Sequence, residues 1–510
     1  MSEYLLAHDL GTSGNKATLF TEQGEMGASV LCEYPTLYPG PNMVEQNADD
    51  WWHAVCLSTR VLLENSGVSP KDIAGVSFSG QMMGCLPVDS MGRPLCPMII
   101  WADMRADRAE KYIRKVLGAE NVYRITGHRP GASYTAAKYL WLREERPDVT
   151  KNTYKILQAK DYILYKLTGK FVTDFSDASG TNLLDLTRRE WSGDILHGLD
   201  IPPGVLPELC ASTQTVGAVT KKAARETGLL AGTPVVTGGG DGSCATVGAG
   251  VWGEGKTYNV IGSSSWISCA TKKPAFDREM RIFNWVHLDP EYVTPCGTMQ
   301  AAGYSLRWLR DTLCDTERET AEKTEKSAYS LIDKAALRSP AGSNGLLYLP
   351  YLLGERSPRW NREAKGSFVG LSMTTARDDI LRSVLEGVGY NLKVIMDIME
   401  QSVPIGDVIA IGGGAKSDVW LQILSDIWQK PLSVPRYLEE ATSLGAAVCA
   451  GVGTGIFKDF SVIERLNPIE REIIPNPQTR EIYNKLFAAF NEAYDGLIPT
   501  FSMLADLRTR

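Results

Sequence analysis

Residues 4–20 read YLLAHDLGTSGNKATLF, and the reading of this stretch decides the fold. An apolar run ends in Asp9, a tight polar turn follows at Gly11-Thr12-Ser13-Gly14, and a second extended run begins near Lys16. Glycines let a backbone approach a ligand closely, hydroxyls and amides cradle phosphate oxygens, and a strand-end carboxylate can hold a metal through water. Lys16 adds a positive charge near such phosphates. The spacing predicts a β-hairpin phosphate clamp rather than a loop feeding a helix. Taken alone, the same residues also fit an ordinary N-terminal hairpin.

Working outward, a third extended run covers residues 28–34, and apolar positions at helical spacing cover 48–64, with Asn47 as N-cap. A buried strand at 73–78 runs into Ser79-Gly80-Gln81-Met82-Met83-Gly84. Helices are expected near 105–117, 135–146 and 158–168, the last closed by Gly169. A further strand at 234–237 ends in Gly238-Gly239-Gly240-Asp241-Gly242. Residues 257–270, TYNVIGSSSWISCA, then echo the opening: strand, glycine-serine turn, strand. Helices at 300–313 and 377–401, a strand at 407–411, Gly412-Gly413-Gly414, and helices at 417–429 and 442–451 complete the second cycle. The pattern predicts two related α/β halves that share a cleft. The expected units are 1–247, binding sugar and phosphate, 248–455, binding nucleotide, and 456–510, a helical extension of the second.

The chain has 510 residues, which exceeds one typical core and agrees with two domains. Its net charge of −7 and the absence of a basic stripe argue against a nucleic-acid surface. No uncharged run approaches a membrane span, so no membrane partner is expected. Ten cysteines are scattered without CxxC spacing, which fits reduced thiols and a cytoplasmic protein. The five histidines form no metal-binding pair.

Gly250 to Thr257, GVWGEGKT, formally fits a P-loop. The following TYNVIG is β-rich, whereas a P-loop opens a helix whose N-terminus binds phosphate. The segment reads as a linker.

The glycine turns supply what ATP-dependent phosphoryl transfer needs: positioning, neutralisation by Mg²⁺, and an acceptor hydroxyl near a base. Two hairpins, Asp9–Lys16 and Gly262–Ser265, would face the phosphates from opposite halves. Gly412-Gly413-Gly414 offers flat backbone to a nucleobase, and Asp241 is the candidate base. Gly-Asp-Gly is also a common turn sequence.

Ser133 to Glu145, SYTAAKYLWLREE, and Gly366 to Leu371 with Asp379-Ile380 and Ser383 to Glu386 fit the two signatures of the FGGY carbohydrate kinases. The chain resembles that family over nearly its whole length. The resemblance implies two ribonuclease-H-like domains of the sugar-kinase, heat-shock-70 and actin type around a central cleft. Trp101-Ala-Asp103-Met-Arg105, Lys160-Asp161-Tyr162, Ser176 to Thr181 and Leu349 to Arg356 are similar to segments of xylulose kinases.

By that resemblance Asp241 is the general base, and Asp9 supports Mg²⁺ through water, with Asp241 a second candidate ligand. Sugar contacts are implied at Gln81, Met82, Met83, Trp101, Asp103 and Asp241. Nucleotide contacts are implied at Gly11, Thr12, Ser13, Gly262, Ser263, Gly303, Gly413, Gly414 and Ser417, with Lys16 beside them. ATP and Mg²⁺ are the implied cofactors, and a homodimer is implied by resemblance alone. Lys138, Trp141 and Glu386 read as packing and pairing residues, and Arg356 as either a loop anchor or an anion ligand.

Two departures bear on the sugar. Xylulose kinases usually have histidine where this chain has Met83, and asparagine where it has Gly242. Both changes leave a more apolar and roomier site. The implied reaction is phosphorylation of a terminal hydroxyl of a small sugar, with D-xylulose leading. Another ketose, a polyol such as erythritol or glycerol, and gluconate are the alternatives. A non-catalytic actin-like nucleotide-binding protein is the remote one.

Overall fold

The computed structural model describes residues 3–507. Its first half is organised by strands β1 (Tyr4–Leu10), β2 (Gly14–Thr21), β3 (Met26–Glu33), β4 (Ile73–Gly80), β5 (Thr215–Ala218), β6 (Pro234–Val236) and β7 (Gly239–Gly240). They form a seven-stranded sheet of order β5-β6-β4-β1-β2-β3, with β7 also on β4. The opening hairpin is antiparallel, with Asp9 opposite Lys16, and β1 pairs parallel with β4 so that Asp9 lies beside Ser79.

The second half repeats this plan with β8 (Thr257–Ile261), β9 (Ser265–Cys269), β10 (Phe283–Val286), β11 (Val293–Met299), β12 (Val408–Ile411), β13 (Leu432–Pro435) and β14 (Ile469–Ile473). Their order is β10-β11-β9-β8-β12-β13-β14. In each sheet an antiparallel meander of three strands (β1-β2-β3, β8-β9-β11) is followed by parallel strands (β4-β6, β12-β13). The weak echo in sequence is therefore a repeat of topology. The segment from 456 on, expected as a helical extension, also carries β14, which pairs antiparallel with β13. The Ile-Glu-Arg-Glu-Ile alternation suits an edge strand with one polar face.

Helix α1 (Ala48–Ser66) buries Trp51, Trp52 and Leu62 against the first sheet. Asn47 holds its N-cap position with extended backbone but makes no side-chain capping bond; Asp49 and Asp50 supply the favourable charge in the first turn. Helix α2 (Ala159–Thr168) ends at Gly169 in the left-handed conformation, as expected. Helices α3 (Asp241–Gly248), α4 (Gly303–Leu313), α5 (Arg377–Met399), α6 (Asp418–Trp428) and α7 (Ala441–Thr454) follow. Lys256 precedes strand β8 and pairs with Glu464, so the P-loop-like segment opens no helix.

The two halves meet through α3 and α7. A Cβ on Gly445 would sit 2.0 Å from the Cys244 carbonyl oxygen, and one on Gly248 would sit 1.8 Å from that of Ala441. Only glycine allows this backbone contact. Helix α7, although late in the chain, packs on β1 and β4, and Leu5, Ala7, Val247, Leu444 and Val448 share one buried core. All ten cysteines are unpaired. Among the described residues no helix is long and apolar enough to cross a membrane.

Candidate active site

Asp9 is the next-to-last residue of β1, between Lys16 of β2 and Ser79 of β4. Its Oδ1 accepts a hydrogen bond from Ser79 on β4 (2.9 Å), and its Oδ2 accepts one from Thr442 on α7 (2.8 Å). Burial raises its pKa, while these two donors and the Lys16 charge act to lower it. Lys16 itself forms a 3.6 Å ion pair with Glu440.

Asp241 opens helix α3 directly after the β7 glycines, and its Oδ1 accepts the Gly242 N–H at 2.7 Å. Burial first, and the charge of Asp9 second, push its pKa up to about 7. A carboxylate with that value near neutral pH is suited to taking a proton. Two neighbouring buried carboxylates are also a fitting donor set for a hard divalent cation, which binds through one or two carboxylates together with substrate phosphates. Among the described residues no cluster of three or more potential ligands forms a metal centre independent of substrate.

Beneath this loop lies a buried charge network. Ser176 accepts the Gly240 N–H at 3.0 Å and donates to Asp174 Oδ2 at 2.5 Å. Lys160 lies 3.0 Å from Asp174, 2.7 Å from Asp161 and 3.4 Å from Asp177. Three carboxylates around one ammonium hold the lysine charged, and Asp177 is raised well above the usual carboxylate range by burial.

The first hairpin tip closes with Gly11 N–H to the Gly14 carbonyl (3.0 Å) and is braced from outside. Tyr34 donates to the Gly11 carbonyl, Gln46 donates to the Thr12 carbonyl at 2.6 Å, and Trp101 donates from Nε1 to Thr12 Oγ1 at 2.9 Å. Ser13 is exposed at the tip. The second hairpin closes with Gly262 N–H to the Ser264 carbonyl (2.9 Å) and leaves Ser263 exposed. The α4 N-terminus seats on it: Gly303 N–H donates to Gly262 and Tyr304 N–H to Ser263. Beside it, Gly413 is exposed and Gly414 packs on Ile261. Ser417 accepts the Trp420 N–H at 3.0 Å as N-cap of α6 and donates to Asp333, so its hydroxyl is committed to the helix terminus.

The acceptor loop follows β4. Gln81 is buried; its Nε2 donates to Gln46, and its Oε1 has no partner. Met83 has a left-handed φ of 64°. Lys138 fixes that turn by donating to the Met83 and Ile100 carbonyls (2.8 and 2.7 Å), while Thr135 donates to the Gly84 carbonyl. Met82, Met83 and Tyr134 pack together with Trp285 of β10, a wall to which both halves contribute. A Cβ on Gly242 would meet nothing within 4 Å, so the site is open there.

Asp103 differs from the expectation of a sugar contact. It is wholly buried, and its oxygens take the Val44 and Arg105 N–H groups and the Arg105 guanidinium. It braces the wall that carries Trp101. Glu386 is likewise structural, holding Gly342, Ser343, Arg382 and Tyr483. Sequence reading missed Ser79, Thr442 and Trp285: two are ordinary hydroxyl residues and one a strand aromatic, and only the tertiary fold brings them to the cleft.

Residues 4–248 match the FGGY family of carbohydrate kinases, N-terminal domain, and residues 257–454 match the C-terminal domain of that family. The chain belongs to the FGGY family of carbohydrate kinases. It is an enzyme that transfers a phosphoryl group to a sugar, and FGGY kinases take that group from ATP. It is 34% identical to a xylulose kinase of Bacillus subtilis (strain 168), over 96% of this chain and 97% of that one. It is 31% identical to a gluconokinase of the same organism, over 99% and 98%. The crystal structure of ligand-bound xylulose kinase from Lactobacillus acidophilus superposes with a TM-score of 0.91 at 27% identity, covering 98% of this chain and all of that one. Both FGGY domains contain the ribonuclease-H-like sheet described above.

Proposed function

We propose that this protein phosphorylates a terminal hydroxyl of a small sugar with ATP and Mg²⁺, D-xylulose being the leading acceptor, in carbohydrate catabolism in the cytoplasm. The observation that carries this reading is Asp241, raised to about 7 by burial and by the charge of Asp9, at the start of the helix that packs on α7. Its carboxylate takes the proton of the acceptor hydroxyl as the oxygen attacks the γ-phosphate in line. Asp9, held by Ser79 and Thr442, and Asp241 would hold Mg²⁺ through water. The cation, when bound, neutralises phosphate charge. Amides of Gly11–Ser13 and Gly262–Ser263, with Lys16 nearby, stabilise the spreading negative charge. Gly303, Gly413 and Gly414 line the nucleotide side. Gln81, Met82, Met83 and Trp101 line the acceptor side. Closure of the halves excludes water from the reaction.

D-xylulose leads because xylulose kinases match across nearly the full chain. Met83 and the open space at Gly242 favour a second reading, an FGGY acceptor that needs fewer polar contacts at that end: another ketose, erythritol, glycerol or gluconate. ADP release measured across pentuloses, hexuloses, polyols and aldonates tests both. Turnover highest with D-xylulose supports the first. Turnover highest with another acceptor selects the second, and no sugar-stimulated turnover by protein that binds ATP refutes the kinase reading.

A further inference from the structure

A cavity of about 850 Å³ opens between the halves. Trp101 and Tyr134, which border the acceptor loop, form part of its wall, and Trp360 lines it from the second half. Four arginines line it, Arg114 and Arg129 from the first half and Arg356 and Arg362 from the second. Arg129 stacks over the Trp360 ring at 4.7 Å, and its buried Nε has no hydrogen-bond partner. Arg356 donates its backbone N–H to Glu355, and its positive charge is felt by buried His128 and Tyr134.

Among the described residues neither the Arg129 nor the Arg356 guanidinium is paired with a carboxylate, and the acids around the cavity are engaged elsewhere. Glu110 pairs with Arg114 at 2.8 Å and accepts the Ala132 N–H; Asp107 lies 3.9 Å from Arg362. Glu355 accepts N–H groups of Gln300, Arg356 and Asn391, and Glu363 accepts from Ser502. The charges of Glu110 and Arg129, and of Glu355 and Arg356, are felt by one another, but neither acid comes within ion-pairing distance, and a partly desolvated cation without such a partner is costly unless a ligand completes it. Burial and the nearby Arg114 charge already depress the Arg129 pKa.

We propose that Arg129 and Arg356 form an anion clamp between the halves that takes the carboxylate of a small polyhydroxy acid. The planar fork of arginine matches a carboxylate in two parallel hydrogen bonds, which a lysine cannot reproduce. The Trp360 and Tyr134 rings flank the carbon chain. The acid is either the acceptor itself, with its far hydroxyl toward Asp241, or a separate ligand seated between the halves. The proposal rests on the reading of the adjoining cleft as the acceptor site.

Calorimetric titration of D-gluconate and the shorter D-erythronate into the full-length protein is the primary test, on wild type, Arg129→Gln, Arg129→Lys and Arg356→Gln. Binding of at least one acid to wild type is expected, weakened at least about tenfold in each Gln variant and less in Arg129→Lys. Unchanged thermal melting and ATP binding report intact folding of the variants. ADP release with the acid as sole acceptor identifies it as substrate; a saturable change in the KM for D-xylulose without such turnover identifies a separate ligand. Either result supports the clamp. Failure of both acids to bind wild type, or equal affinity in wild type and folded Gln variants, overturns it. Absence of turnover with every acceptor refutes the kinase reading while the titration still decides the clamp.

Discussion

The Asp9 carboxylate accepts a 2.8 Å hydrogen bond from the hydroxyl of Thr442, across 433 positions of sequence. Asp9 lies near the end of the first strand of the first half, and Thr442 lies in the first turn of a helix inserted between β13 and β14 of the second sheet. This acid is thus oriented by both halves at once. That contact exists because α7 packs on β1 and β4, against α3, where Gly248 and Gly445 allow backbones to touch.

Thr442→Val removes the donor while keeping the shape. Stability should fall by about 1 kcal/mol, the ordinary worth of a partly buried hydrogen bond. Turnover should fall roughly tenfold, equivalent to about 1.4 kcal/mol of lost orientation. Steady-state ADP release over a Mg²⁺ series checks this, and the dependence on Mg²⁺ should shift to higher concentration. An unchanged series would remove Asp9 from the cation's surroundings.

Asp241→Asn should lower kcat by about 10²–10⁴, the usual range for removing a general base. The amide still accepts the Gly242 N–H, so the α3 terminus should stay folded. ATP affinity by equilibrium titration should be retained. A variant that keeps wild-type turnover would exclude Asp241 as the base.

Gly303 and Gly413 should respond differently to alanine. A Cβ on Gly303 would lie 2.4 Å from the Gly262 carbonyl oxygen, whereas one on Gly413 would meet only Glu439 Oε1 at 3.6 Å. Gly303→Ala should therefore displace the second hairpin and lower both the melting temperature and ATP affinity. Gly413→Ala should leave melting unchanged, and any rise in its ATP KM then reports a nucleotide against that backbone. Differential scanning fluorimetry with and without ATP separates the two cases.

Lys138 provides a pH signature. Burial lowers its pKa from 10.5 to about 7, yet its amine still has protons for the Met83 and Ile100 carbonyls. The unfolded chain holds this proton up to pH 10.5, whereas the folded chain releases it above about 7. The unfolded state binds more protons in that window, so this group makes stability rise with pH there and contributes no slope below about 7. Lys138→Met should cost about 2 kcal/mol or more by stranding two carbonyls, and should abolish that part of the slope. Urea unfolding of both proteins between pH 7 and 9 measures the difference.

Much of the fold was legible because its signals are local. The hairpin at residues 4–20, its echo at 257–270 and the strand-to-glycine junctions before Asp241 and Gly413 each follow from alternation, turn chemistry and strand length within a short window. Asp9 and Asp241 stand out in the sequence for the same reason, since each lies where a strand meets a glycine turn. Asp103 misled because a motif reports a residue type and not the direction of its side chain; only packing reveals Arg105 and Val44 closing over its carboxylate. The partners of the Ser417 hydroxyl, a helix cap and Asp333, were likewise not legible from the motif.

The sequence by itself determined two α/β halves, two glycine hairpins and two carboxylates at strand-to-glycine junctions, because short-range backbone preferences specify them. Tertiary structure alone decided what surrounds them: Thr442 on Asp9, Trp285 against Met82 and Met83, and Arg129 and Arg356 in the wall of one cavity. Those partners are fixed by the docking of one half on the other. Docking depends on the summed burial of α3 and α7, and no local stretch of sequence encodes that sum.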